Sequence, residues 1–137
     1  MIELRICIDV ENLERALAFY TRALGLTPGR RKGDDWVELL GGTSPIDLLA
    51  QPAGSAPVPG IAAVRDYHRH WTPVHLDVTV RDLDAAVQRA RDAGATLERG
   101  GLQTRPWGRM AVLADPFGHG LCLLEFHGAG YDALADS

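Results

Sequence analysis

Three features of the chain predict an α+β fold made of two βαβββ modules. The first is an internal repeat. At an offset of 70 positions RICIDVENLERAL lies over HLDVTVRDLDAAV, so Val10 meets Val80, Leu13 meets Leu83 and Ala16 meets Ala86. The second is that each copy opens with an alternating apolar run, Ile6-x-Ile8-x-Val10 and Val74-x-Leu76-x-Val78-x-Val80. A period of two with one apolar face specifies a strand. The third is the change to helical spacing that follows at once: Leu13, Ala16, Leu17, Tyr20 and Leu24 in one copy, Leu83, Ala86, Val87 and Ala90 in the other.

The elements follow in order. Asn12 and Asp82 stand where a side-chain oxygen caps the free N–H groups of a helix. Gly25 and Gly94 are placed to end those helices in a left-handed conformation. Strands are expected near 27–32, 36–41 and 45–50, and again near 95–99, 109–114 and 120–126. GGTSP (41–45) and DPFGHG (115–120) carry the residues that turns require. Neither half could bury its helix-facing sheet alone, so residues 1–127 are read as one domain: module 1 (1–51), a connector (52–72) and module 2 (73–127). The connector, rich in proline, glycine and alanine, is expected to run over the surface with a helical turn at 60–67. Residues 128–137 have no strong period and read as a loosely held tail.

Composition narrows the function. At 137 residues the chain is long enough to bury a core without staples. A formal charge of −4 gives no support for nucleic-acid binding, which wants a basic surface. No run approaches the roughly 20 apolar residues of a membrane span. Glu3 and Arg5 interrupt what would have to be the apolar core of a signal peptide, so a cytoplasmic location is expected. Cys7 and Cys122 have no CxxC spacing and read as reduced thiols.

The two-module pattern resembles the vicinal oxygen chelate superfamily, which includes glyoxalase I, bleomycin resistance proteins, fosfomycin resistance enzymes and extradiol dioxygenases. The resemblance is carried by Val10-x-x-Leu13-x-x-Ala16-x-x-Phe19-Tyr20 with Leu24-Gly25-Leu26, by Val80-x-x-Leu83-x-x-Ala86 with Ala93-Gly94-Ala95, and by the Asp115-Pro116-Phe117-Gly118 turn. It implies a curved eight-stranded mixed sheet enclosing a cavity, with one helix per module on the outer face. It also implies four metal-ligand positions on the first and last strands of each module, which match Arg5, Asp47, His75 and Cys122 here. It further implies a homodimer.

Strand parity places Arg5, Cys7 and Asp9 on one face and His75, Asp77 and Thr79 on the equivalent one. Polar side chains there are costly unless hydrogen-bonded or wet, so a solvated cavity is expected. A catalytic metal needs about three protein ligands and an open position. Arg5 is a permanent cation and repels a divalent ion, so no metal is expected, and an Arg5–Asp47 ion pair fills that space. The alternative is a divalent zinc, nickel, iron or manganese ion held by His75, Asp47 and Glu125, which requires a bulge that turns Glu125 inward.

Other residues have both a functional and a plain reading. His75 and Asp77 stand two apart on one face, as a base tuned by a carboxylate or as two hydrogen-bonded groups of a polar pocket. His68 and His70 suit a rim or subunit contact better than a metal site. Trp107, flanked by Arg105 and Arg109, is expected at the cavity mouth, with Arg109 free to hold a ligand carboxylate. Trp36 and Trp71 could wall a planar ligand, although Trp36 reads equally as core. Cys122 is expected to face the cavity. The candidate ligand-binding residues are thus Arg5, Asp9, Asp47, Trp107, Arg109 and Cys122, and the catalytic candidates are His75 and Asp77.

Three functions remain after this reading, the third an interaction module with a vestigial pocket; the first two carry the chemistry. One is binding of a small organic molecule in a metal-poor cavity, as in drug or metabolite sequestration. The other is a lyase, isomerase or dioxygenase using His75 with Asp47, Asp77 or Glu125.

Overall fold

The computed structural model describes residues 1–136. The chain divides into two compact units, Met1–His68 and Arg69–Ser137. In the first, β1 (Ile6–Val10), α1 (Leu13–Leu24), β2 (Thr27–Lys32), β3 (Trp36–Leu40) and β4 (Ile46–Ala50) form a sheet of order β1-β4-β3-β2 with one helix. In the second, β5 (Leu76–Thr79), α2 (Leu83–Asp92), β6 (Thr96–Arg105), β7 (Gly108–Ala114) and β8 (Gly120–Phe126) repeat the order as β5-β8-β7-β6. The fold class is α+β, with the eight strands hydrogen-bonded as two mixed sheets of four.

In each sheet the first and last strands are parallel and the other pairs antiparallel. Both parallel pairs use the same register: Cys7 lies opposite Asp47, and Asp77 opposite Cys122. The repeat seen in the sequence is therefore a repeat of hydrogen-bond register.

Both helices start as expected. The Asn12 side chain accepts from Arg15 N at 2.9 Å and the Asp82 side chain from Ala85 N at 3.1 Å, each satisfying one orphan donor. Gly25 ends α1 in the left-handed conformation (φ 68°). On α1 the fully buried stripe is Leu13, Ala16, Phe19, Tyr20 and Ala23, rotated from the expected one so that Phe19 and Ala23 replace Leu17 and Leu24. The α1 helix covers the face of its sheet that carries Ile8, Val10, Val37, Leu39, Ile46 and Leu48. The α2 stripe is Leu83, Ala86, Val87 and Ala90, over Leu113, Leu121 and Leu123.

Four expectations are corrected. Strand β6 runs ten residues, because Gly100–Gly101 forms a bulge between Leu97 and Leu102 and the strand then resumes. The first strand of module 2 is shorter than its alternation suggested, and Val74 is exposed. No helical turn forms at 60–67. Instead the connector folds back, with Gly54 N donating to Arg65 O (2.8 Å), Arg65 N to Ser55 O (2.9 Å) and the Tyr67 hydroxyl to Gln51 O (2.7 Å). The tail is held over part of its length. A 3-10 turn at Gly130–Ala133 sets the Tyr131 ring against Trp107 and Phe126, with centroids 5.3 and 4.6 Å apart.

Gly108 opens β7 at φ 149°, where a Cβ would lie 1.9 Å from Glu125 O. Gly108→Ala should lower unfolding stability by at least about 2 kcal/mol in urea denaturation. Gly42→Ala, where the nearest atom would be 3.5 Å from the new methyl group, should be close to neutral.

Candidate functional site

Module 1 builds a compact ionic cluster on the sheet face opposite α1. The β3–β4 register places Glu38 directly across from Asp47, and both are buried, at 4% and 9% exposure. Like charges in cross-strand positions repel, and burial magnifies this. Two arginines neutralise the pair. Arg5 takes Asp47 in a fork, Nε to Oδ2 at 2.9 Å and Nη2 to Oδ1 at 2.7 Å, and its Nη2 also reaches Glu38 Oε2 at 2.7 Å. From β2, Arg30 donates Nε to Glu38 Oε1 at 3.1 Å and Nη2 to Oε2 at 2.7 Å. The Trp36 indole completes the cluster, donating to Asp47 Oδ1 at 2.9 Å with Arg30 lying 6.0 Å from its ring.

These bonds hold both acids ionised. Arg30 first, then Arg5, lowers the Glu38 carboxyl from its usual 4.5 to about 2. Asp47 is also held below the usual range, chiefly by Arg5. Arg5 is pushed further above its usual value by the same partners and stays cationic at any accessible pH. Asp9, two positions beyond Cys7 on β1, is held by Arg65 of the connector at 2.7 Å.

Module 2 uses the same register with different chemistry. His75 Nε2 lies 3.0 Å from Asp77 Oδ1, and the Cys122 sulfur lies within 4.8 Å of both groups. Trp71 lies beside His75, with centroids 5.9 Å apart. Donor atoms of His75, Asp77 and Cys122 all fall within 4.8 Å of one another, so these three could hold a metal ion. Burial first, and then the Asp77 charge, pushes the Cys122 thiol up to about 11. It stays protonated near neutrality, so a Cys–His nucleophile is not assembled.

The four-position metal set of the resemblance does not fit. Arg5 stands in one position and holds both oxygens of Asp47, which occupies another. Of the four positions His75 and Cys122 remain, two where a catalytic metal needs about three protein ligands. The alternative set with Glu125 is corrected: β8 keeps an unbroken register against β7, so Glu125 stays on the α2 side. There it accepts from Leu83 N at 2.6 Å and pairs with His127 and Arg109, and the Leu83 bond leads in lowering its carboxyl to about 2. It caps α2 rather than facing His75.

Two further expectations change. Trp107 is buried among Phe126, Tyr131, Cys122 and Leu124, so its faces are covered by protein. Arg109 is paired with Asp84 (3.1 Å) and Glu125 (3.3 Å), bracing α2. The histidines of DYHRHW go separate ways, His68 to Asp66 and His70 to the His119 ring. Sequence reasoning missed Glu38 and Arg30 altogether. The signal was available in the hairpin: a turn centred on 41–44 pairs Leu39 with Ile46 and hence Glu38 with Asp47.

This architecture, two βαβββ units with polar corners on matching strands, is that of the vicinal oxygen chelate superfamily. Within it the chain belongs to the glyoxalase-like domain family, whose profile matches residues 5–124. It is 35% identical over 129 residues to the anthracycline biosynthesis protein DauV of a Streptomyces species, covering 92% of this chain and 42% of that protein. The chain spans less than half the length of the curated relatives it matches. Among solved structures it is similar to a fosfomycin resistance protein, FosX, from Listeria monocytogenes, complexed with manganese(II) and a dihydroxypropylphosphonic acid. The TM-score is 0.70 at 16% identity, covering 93% of each chain. It is also similar to TnmS3, an antibiotic-binding protein of a Streptomyces species, with a TM-score of 0.64 at 22% identity, covering 93% of this chain and 97% of that one.

A carboxyl held low in the folded state contributes stability that is complete above its unfolded pKa and is lost as pH falls through the folded one. The Glu38 contribution should therefore be whole above about pH 4.5 and disappear towards pH 2. Urea unfolding at pH 7 and pH 3 should show a smaller acid-induced loss in Glu38→Gln than in the wild type, from a lower starting stability.

Proposed function

We propose that this protein binds a small organic molecule without using a metal at the module 1 corner. One observation carries the reading: the Arg5 guanidinium is clamped to Asp47 and Glu38, so the corner holds a fixed positive charge with its own counter-ions. The Trp36 indole, oriented by Asp47, offers part of an aromatic surface to a planar ligand. Support comes from the relatives DauV and DnrV, named for anthracycline biosynthesis, and from the antibiotic-binding neighbour TnmS3. Sequestration or carriage of a planar polyketide-type compound fits these features.

The protein is read as a cytoplasmic homodimer, with β1, β2, β5 and β6 as terminal strands of their sheets available for pairing. Size-exclusion chromatography with light scattering over a hundredfold dilution series should return twice the chain mass. A monomer throughout contradicts the dimer.

A second reading, a lyase, isomerase or dioxygenase, is favoured by the His75–Asp77 contact, which opens to solvent in module 2. The two readings part in one titration. Quenching of tryptophan fluorescence by an anthracycline aglycone should be saturable, unchanged by EDTA and unchanged in His75→Ala. Binding that needs an added divalent ion, or turnover that His75→Ala abolishes, favours the enzyme, and absence of binding overturns the proposal.

A further inference from the structure

Glu38 and Asp47 lie beneath their arginines: the carboxylate side chains are 5% and 12% exposed, the Arg5 and Arg30 side chains 41% and 71%. The cluster is formally neutral, yet its outward surface is cationic. Both Nη2 atoms sit 2.7 Å from the same Glu38 oxygen, so the two guanidinium groups stand side by side. Each spends its Nε/Nη2 edge on the buried acids, and among the described residues neither Nη1 makes a hydrogen bond. Two N–H donors per arginine are thus left without a protein partner on part-exposed side chains whose orientation the buried acids already fix. Asp9, the other acid on this face of β1, is occupied by Arg65. Ordering has been met in the folded protein, so an arriving anion gains charge-assisted hydrogen bonds without immobilising long side chains.

We propose that Arg5 and Arg30 together form a receptor for an anionic group, a carboxylate or phosphate-like head, on the molecule the protein binds. This rests on the small-molecule reading above, and it names the chemical class of ligand: a small organic acid whose ring system can lie along Trp36. A purely structural role for the cluster is the competing account, and it requires no preference between charged and uncharged ligands.

The test uses naphthoate, its uncharged isostere naphthamide, and inorganic phosphate, with affinities from calorimetry and arginine Nε–Hε signals from NMR. Naphthoate should bind about tenfold more tightly than naphthamide, the gain of one charge-assisted contact over a neutral one. Phosphate should shift the Arg5 and Arg30 signals selectively. Arg30→Gln, at the more exposed of the two arginines, should bring the ratio of naphthoate to naphthamide affinity, measured in the same variant, to about one, and Arg30→Lys should keep part of the preference. Thermal melts verify that both variants fold. Equal affinities for acid and amide overturn the receptor and leave small-molecule binding intact, as does a preference that survives Arg30→Gln. A selective phosphate response with neither aromatic compound bound upholds the receptor and overturns the reading of a planar ligand. Silence towards all three probes overturns both.

Discussion

The arrangement of module 1 depends on one electrostatic constraint: two buried carboxylates set opposite each other by hydrogen-bond register cannot coexist without a cation between them. Glu38 and Asp47 are fixed there by the β3–β4 ladder, which packing of the other face against α1 keeps in place. A divalent metal could answer that charge, and so could a guanidinium. This chain uses Arg5, with Arg30 beside it, and the choice has consequences. Arginine does not deprotonate, dissociate or exchange, and it accepts no lone pair from substrate. The corner therefore offers fixed positive charge and hydrogen-bond donors, where a metal would offer an open coordination position.

Module 2 has the same backbone and a different balance. There the carboxylate is on the first strand (Asp77) and the thiol on the last (Cys122), the reverse of Cys7 and Asp47. Position for position, Val112 replaces Glu38 opposite the last strand, so only one acid needs a partner. His75 supplies it at 3.0 Å. The same ladder thus carries a doubly charged corner in one module and a lightly charged one in the other. The difference lies in single side chains at a fixed register, since fold and site chemistry are separable in such scaffolds.

Much of the fold was legible in the sequence because it is written in local patterns. Alternation, helical spacing, the caps Asn12 and Asp82, and Gly25 each act over a few residues. The failures share a cause. Gly100–Gly101 reads locally as a strand end, and only pairing with β7 shows it to be a bulge. Trp107 does lie in the turn between β6 and β7, but it reads as open to a cavity because Tyr131, which covers it, lies far along the chain. The Arg5–Asp47 pair was legible since both residues could be placed by counting along the repeat, whereas Glu38 and Arg30 have no polar counterpart in the second copy to count from. Arg109 and Glu125 stand opposite each other in the β7–β8 hairpin and were open to the same count from its turn, whereas the contacts of Glu125 with Leu83 N and of Arg109 with Asp84 join the sheet to α2 and could not be read from spacing.

The claim that a guanidinium has taken the place of a metal at this corner is tested most directly by elemental analysis of the wild-type protein, purified without chelator and dialysed against nickel, zinc, iron and manganese in turn. The account requires that no ion be retained in a one-to-one ratio through Asp47, so that wild type and Asp47→Asn give the same metal content. A stoichiometric ion present in the wild type and released by Asp47→Asn would contradict it.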